Sequence, residues 1–383
     1  MIYIIAFVIL ISVIVFVHEL GHYLAARSIG VTVEQFSIGM PPTIYKYKPK
    51  NINTVFVIGA LPLGGYVKIK GMLDENMDTE IKGADDELES KSALEKIWVL
   101  TAGVIMNIIL AFFVFSAIGA LEGDAIPVDQ DAVIDFVSPG GPAENANLLV
   151  GDKIISINSI KVSSWEAAVD IVEKNPNQEI PITVLREGEL YNNNITLSSG
   201  PNFKEGRVDQ TIGLIGVAKD MSTKELNIIE SFQYGYRRTA WSMVLMSSSL
   251  KMIFQGNVSK DEVGSVIMIG QMAGEAAQAG LSQFLLLMAL ISVNLAFINM
   301  LPIPGLDGGH IAVILVEVLM RRKLSVKARM RIQSVGMFIL LSLMAFLLIN
   351  DLSKIDWKTK INNLFSSNSS SCSELVVESS ALS

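Results

Sequence analysis

An uncharged apolar run at the N-terminus closes on three ionisable side chains, and no other feature constrains the fold of this chain as strongly. Met1 to Val17 carries no charge, with Ser12 as its clearly polar side chain, and it leads into His18-Glu19-Leu20-Gly21-His22. A run of this length reads as a membrane-spanning helix, about 2–26. An ionisable group facing lipid at mid-membrane costs about 3 kcal/mol, so all three must face a protein interior. H-E-x-x-H on a helix sets both histidines on one face, where their imidazoles can share a zinc ion. Glu19 beside them can act as a base for a zinc-bound water. The plainer alternative is a chance match near the headgroups. A cluster of ionisable groups within an apolar span favours the metal.

Composition supports a membrane chain. Half of the 383 residues are hydrophobic, and mean hydropathy is +0.45. These values point to several spans. The net charge of −8 contains no dominant cationic block, which argues against a nucleic-acid partner. The one cysteine, Cys372, excludes an intrachain disulfide and a multi-thiolate metal site. The histidines are His18, His22 and His310, so a zinc site must draw on these and on carboxylates. A cleaved secretory leader would need a basic segment ahead of the apolar run. Met1-Ile2-Tyr3 has no basic side chain, and Arg27 follows the run instead. The helix therefore reads as retained, with its C-terminal end toward the cytoplasm.

The fold class expected is a polytopic α-helical membrane protein with four transmembrane helices. A membrane-associated β-hairpin or sheet and one inserted α+β domain would accompany them. The first half of the core spans 1–121, with helices near 2–26 and 97–121. Between these helices, 54–60 and 65–70 alternate as strands joined by a Pro62-Leu63-Gly64-Gly65 turn, within a β region of about 52–71. Asn107 is a polar group inside the second span; a structural bond across helices and a part in the chemistry both fit it. Residues 122–202 carry short strands, turns and a helix near 165–175, the pattern of the small water-soluble domain. Residues 203–282 read as a linker with amphipathic, interfacial helices, notably 243–254. The second half of the core is 283–355, with spans near 284–301 and 333–350. The Ser-rich tail at 356–383 reads as disordered.

Arg321, Arg322, Lys323, Lys327, Arg329 and Arg331 crowd the loop between the last two spans and assign it to the cytoplasm. Counting back, both termini and the soluble domain lie outside, and the active site lies toward the cytoplasmic side. Two histidines do not complete a catalytic zinc site, which takes a third protein ligand and leaves one position open. The candidate is Asp307, in Asn299-Met300-Leu301-Pro302-Ile303-Pro304-Gly305-Leu306-Asp307-Gly308-Gly309-His310. Pro302 and Pro304 end the third span and leave unwound backbone, tolerated at membrane depth where it lines a cavity. His310 is the rival ligand, and an ordinary Asp-Gly turn is the plain alternative for Asp307-Gly308. Asn294 and Asn299 can hold an extended substrate or an oxyanion, or simply bond the broken helix to its neighbours.

Together these pieces resemble the site-2 protease family of M50-type intramembrane zinc metalloproteases, close to the bacterial regulator-of-sigma-E protease group. The matching segments are His18 to His22, Pro62-Leu63-Gly64-Gly65-Tyr66-Val67-Lys68, Ser138-Pro139 with Val150-Gly151-Asp152-Lys153-Ile154, Ile291-Ser292-Val293-Asn294-Leu295, and Asn299 to His310. The resemblance covers residues 1 to about 355. It implies zinc held by His18, His22 and Asp307, with Glu19 as acid/base. It implies a substrate site shaped by Asn294, Asn299, Pro302 and Pro304, and by Gly64, Gly65 and Tyr66 of an edge strand that pairs with unwound substrate. It implies a metalloendopeptidase of the bacterial cytoplasmic (inner) membrane that cleaves single-span membrane proteins in regulated intramembrane proteolysis. Anti-sigma factors, signal-peptide remnants and pheromone precursors are compatible substrates. The inserted domain resembles a PDZ domain. The chain departs from many relatives in having room for one such domain, and in carrying Gly264-Ser265 where Gly-Pro is frequent. A non-proteolytic scaffold and an ion transporter are the rival readings. The intact His18, Glu19, His22 and Asp307 weigh against the first, and four spans without an internal repeat weigh against the second.

Overall fold

The computed structural model describes residues 1–72, 83–128, 130–256 and 266–354. Gly264-Ser265 and the tail from 356 lie outside them. The N-terminal run forms one unbroken helix, α1 (Ile2–Ser28). Ala6, Leu10, Ile14, His18, His22 and Ala26 are buried and recur every four residues. Residues at that spacing share one helix face. A single stripe therefore carries first an apolar seam and then both histidines into the interior.

Two long strands follow, β1 (Val33–Tyr47) and β2 (Val55–Ile69). The expected strands at 54–60 and 65–70 are both extended, but they do not pair with each other. Phe36 has Val67 as its partner on one side and Phe56 on the other; Ile38 likewise has Gly65 and Ile58. Residues 33–38 thus stand between two legs of β2, and 43–47 add an outer strand through Tyr45 to Ile58 and Tyr47 to Phe56. An aromatic anchor accounts for the insertion. The Phe36 ring lies 5.7 Å from Phe16 and 5.6 Å from Tyr23, both on α1, and 5.9 Å from Phe56. Packing against α1 outweighs the local turn signal of Pro62 to Gly65.

The second long helix, α2 (Ala93–Glu122), starts from a capping box in which Ser92 N–H donates to Glu95 Oε2 at 2.8 Å and Ser92 Oγ accepts from Glu95 N–H. Such a cap satisfies two otherwise orphaned donors. The inserted domain comes next. Its strands are β3 (Asp124–Pro127), β4 (Phe136–Val137), β5 (Lys153–Ile157), β6 (Ile160–Lys161), β7 (Glu179–Arg186), β8 (Glu189–Thr196), β9 (Ser198–Asn202), β10 (Arg207–Leu214), β11 (Val217–Ala218) and β12 (Met221–Lys224), with helices α3 (Pro142–Asn145) and α4 (Trp165–Glu173). A four-stranded sheet in the order β6-β5-β7-β8 packs under α4. Ile134, Leu148, Ile157, Ile182, Ile195 and Leu197 are its fully buried large side chains. Each contributes about 1.5–3 kcal/mol of burial. The domain does not stop at 202. Strand β11 pairs with β4, and β12 pairs with β3. The chain thus returns to where it entered, and the expected linker begins only after Lys224.

Helix α5 (Ile228–Gln255) starts well before the amphipathic stretch expected at 243–254, from a second capping box at Asn227 and Glu230. Ser231, Gly235, Thr239 and Ser242 form its buried stripe. Small residues at this spacing allow close helix approach, and Gly235 lies directly on Phe112 and Ser116 of α2. Helices α6 (Val266–Ala279), α7 (Leu281–Asn299), α8 (Asp307–Met320) and α9 (Val326–Lys354) complete the described chain. By length and apolarity, α1, α2, α7 and α9 are the four candidate spans.

Two further boundaries differ from expectation. Helix α8 begins at Asp307, where a loop was expected. The last helix starts at Val326, seven residues before the expected 333, and so takes Lys327, Arg329 and Arg331 into its first turns. An ion cluster makes this possible. Arg329 meets Glu89 at 2.9 Å and Glu317 at 2.8 Å, while Lys96 and Lys323 reach Glu89 at 2.8 and 2.9 Å. Burial alone would raise the Glu89 carboxyl, but its three cations hold it at about 2. The α8–α9 junction is thereby pinned to the start of α2.

Candidate metal centre

Asp307 meets His18 and His22 at the junction of α1, α2 and α8. His18 Nε2 is 3.3 Å from Asp307 Oδ2, His22 Nε2 is 3.4 Å from the same oxygen, and the two Nε2 atoms are 3.1 Å apart. Among the described residues these three side chains offer ligand atoms that all lie within 4.8 Å of one another. The imidazoles meet edge to face, with ring centroids 4.7 Å apart. This is one carboxylate oxygen and two nitrogens converging on one point, the donor set of a catalytic zinc site with a position left open.

Local sequence explains the convergence. The four-residue spacing on α1 aims both histidines inward. Pro302 and Pro304 lie in the non-helical link 300–306, where α7 has ended at Asn299. Proline lacks the N–H needed to continue a helix. The link folds back so tightly that a side chain at Gly308 would run into the Met300 and Leu301 carbonyls. Glycine there lets Asp307 open a new helix at the depth of the histidines.

The surroundings suit metal ligation. His22 Nδ1–H donates to the Val99 carbonyl at 2.8 Å, which leaves Nε2 with its lone pair toward the carboxylate. His18 Nδ1 lies 3.3 Å from the Asn107 amide nitrogen, while Asn107 Oδ1 is buried without a partner. A half-turn of that amide presents Oδ1 to His18 Nδ1–H and frees His18 Nε2 in the same way. Asp307 Oδ2 is likewise buried with no hydrogen-bond partner. An oxygen in that state facing two imidazole nitrogens fits a bound cation. Ser292 Oγ donates to the Asn107 carbonyl at 2.9 Å, tying α7 to the same spot. Replacing Asn107 by alanine should therefore weaken zinc binding about 10–100-fold without unfolding the protein, measured by competition with a chromophoric chelator.

The remaining expected residues divide. Glu19 is half-buried on α1 beside His18. The Asn299 amide nitrogen stands 3.1 Å from His18 Nε2, at the edge of the centre. Asn294 is half-buried on α7, and among the described residues it makes no hydrogen bond to the three ligands. His310 does not join them: its ring accepts from the Gln333 amide at 3.0 Å. Gly65 lies against Ser37 and Val15, one turn of α1 before His18. Tyr66 Oη accepts from Gln35 Nε2 at 2.6 Å. The second leg of β2, with Gly64 at its start, thus runs past the metal-bearing helix. Sequence reasoning missed Val99, whose contribution is a backbone carbonyl, and Gly103. Histidine rings fill the space over Gly103, which a glycine inside an apolar span does not announce.

Comparison with known proteins agrees with this geometry. The family model described as peptidase family M50 matches residues 6–343. A relative named as a zinc metalloprotease in Campylobacter jejuni is 35% identical over 358 residues, covering 91% of this chain and 93% of the relative. Relatives with zinc metalloprotease names from Clostridium acetobutylicum and Helicobacter pylori are 32% and 31% identical, over 89% and 91% of this chain and 94% and 98% of their own lengths.

Proposed function

Because the chain belongs to peptidase family M50, with Zn2+ as its cofactor and four apolar helices long enough to cross a membrane, we propose that it is an intramembrane endopeptidase that cleaves transmembrane segments of single-span membrane proteins. The observation that carries this reading is the convergence of His18, His22 and Asp307 on one buried point between spans. Held by these residues, zinc supplies a Lewis acid for a peptide carbonyl and for water. Glu19 then takes the proton from the attacking water and delivers it to the leaving amine. Asn299 stands where an amide can orient the scissile carbonyl. Asn294, Pro302 and Pro304 shape the wall of the same site. A substrate helix hides its carbonyls in its own hydrogen bonds and must unwind to react. The leg of β2 carrying Gly64, Gly65 and Tyr66 gives unwound substrate an edge to pair with.

The cationic α8–α9 junction belongs in the cytoplasm by the positive-inside rule. The termini and the inserted domain are then extracytoplasmic, and the active site opens toward the cytoplasmic side of the bacterial inner membrane. The inserted domain acts as a PDZ-like filter on substrates, which include anti-sigma factors or signal-peptide remnants in regulated intramembrane proteolysis. Membership of a peptidase family weighs against the scaffold and transporter readings. Stripping the purified protein with a chelator should abolish cleavage of a single-span segment, and equimolar Zn2+ should restore it. Cleavage that persists in the metal-free protein would refute the proposal.

A further inference from the structure

A cleft of about 420 Å3 opens where the inserted domain meets α5, on the side of the molecule away from the cationic junction. It is lined by Phe203 and Lys204 from the β9–β10 turn and by Tyr234, Arg237, Arg238 and Trp241 from α5, with Asp124 at the start of β3. Two of its three cations are already engaged. Arg237 Nη2 donates to Asp124 Oδ2 at 3.0 Å, and Lys204 lies 3.7–3.8 Å from Glu173 and Asp170 of α4. Arg238 is different. Its guanidinium lies over the Tyr234 and Trp241 rings, 5.6 and 5.5 Å from their centroids, and its Nε is buried with no hydrogen-bond partner. Among the described residues no carboxylate pairs with it. Trp241 is fixed by its own indole N–H, which donates to the Phe203 carbonyl at 2.9 Å.

With Arg237 and Lys204 balanced by their carboxylates, the stacked Arg238 guanidinium is the group left to take an anion, and its planar fork matches two oxygens of a phosphate. Position narrows the source. Asp124 follows the end of α2, an apolar helix long enough to cross a membrane, by two residues. The outward face of α5 is apolar: Ile229, Phe232, Tyr236 and Met243 are exposed at spacings that share one side of the helix. Tyr and Trp beside the cleft are the residues that sit at headgroup depth. We propose that this cleft binds the phosphate of an anionic phospholipid, with Arg238 as its principal contact and Lys204 and Arg237 at its mouth. The inference needs α2 to span the membrane, and it is independent of the proteolytic reading.

The test uses the full chain, delipidated in detergent, with native mass spectrometry reading retained lipid. Phosphatidylglycerol, phosphatidylcholine and inorganic phosphate are the probes. Wild type should retain one phosphatidylglycerol with about tenfold preference over phosphatidylcholine, the scale of one charge-assisted hydrogen bond. Arg238→Gln should lose that preference. Lys204→Gln, on a half-exposed side chain whose loss cannot empty the fold, should lower retention about threefold. Lys161→Gln, an exposed cation on β6 away from the cleft, should leave it unchanged. Equal retention by wild type, Arg238→Gln and Lys204→Gln would overturn the site. So would indifference between the two lipids. Displacement of the lipid by millimolar inorganic phosphate would mark a free-phosphate site and overturn the lipid assignment.

Discussion

Glu19→Gln should bind zinc as wild type does and lose cleavage by about 10²–10⁴-fold, the usual contribution of a positioned general acid/base. The expectation rests on where Glu19 stands. It is half-buried on α1 next to His18 and is not one of the three side chains whose ligand atoms converge. Glutamine keeps the size and polarity of the side chain but cannot carry the proton. Zinc content from elemental analysis and initial rates on a single-span substrate provide the two readouts. A variant that holds zinc and still cleaves at the wild-type rate would remove Glu19 from the mechanism. Loss of zinc along with activity would instead make Glu19 part of the ligand shell.

Gly103→Val should empty the metal centre from the opposite helix. A Cβ at Gly103 would lie 2.5 Å from His22 Nε2 and 2.7 Å from His18 Cε1. Both distances are well inside ordinary contact, so the rings must move, yet His22 is held by Val99 and His18 by Asn107. Substitutions that displace ligand-orienting groups cost zinc affinity about 10–100-fold, and a valine at this point should reach at least the upper end. Gly270→Ala in α6 is the control, because its Cβ meets Phe7 only at 3.8 Å. It should leave zinc affinity and activity as they are. Wild-type zinc affinity in Gly103→Val, with helicity intact by circular dichroism, would mean that α2 does not close the centre.

These expectations bear on how much could be read from the chain alone. The convergence of His18, His22 and Asp307 was legible because burying ionisable groups in an apolar run has few physical explanations. His18, Glu19 and His22 sit in such a run, and Asp307 follows a proline-broken span. The four candidate spans were legible from apolarity and length. The arrangement of β1 and β2 was not: local alternation marks strands, but the partner of Phe36 is chosen by aromatic packing on α1, far away in sequence. The start of α9 was obscured for a related reason. Arg329 reads as a loop cation until Glu89 and Glu317 are seen beside it. The orienting partners were the least legible, since a carbonyl at Val99 leaves no trace in residue identity. The Asn107 side chain was visible as a polar group inside a span, with a structural bond and a part in the chemistry both open. Asn294 and Asn299 were likewise open between holding substrate and bonding the broken helix, and of the two Asn299 reaches His18.

The most direct measurement is the position of the bond that is cut. A single-span protein with water-soluble flanks would be reconstituted with the purified chain in liposomes, and its products mapped by mass spectrometry. One dominant cut is expected inside the apolar segment, nearer its cytoplasmic end, abolished by Glu19→Gln and by Asp307→Ala. Cuts confined to the soluble flanks, or a transmembrane cut that survives both substitutions, would contradict it.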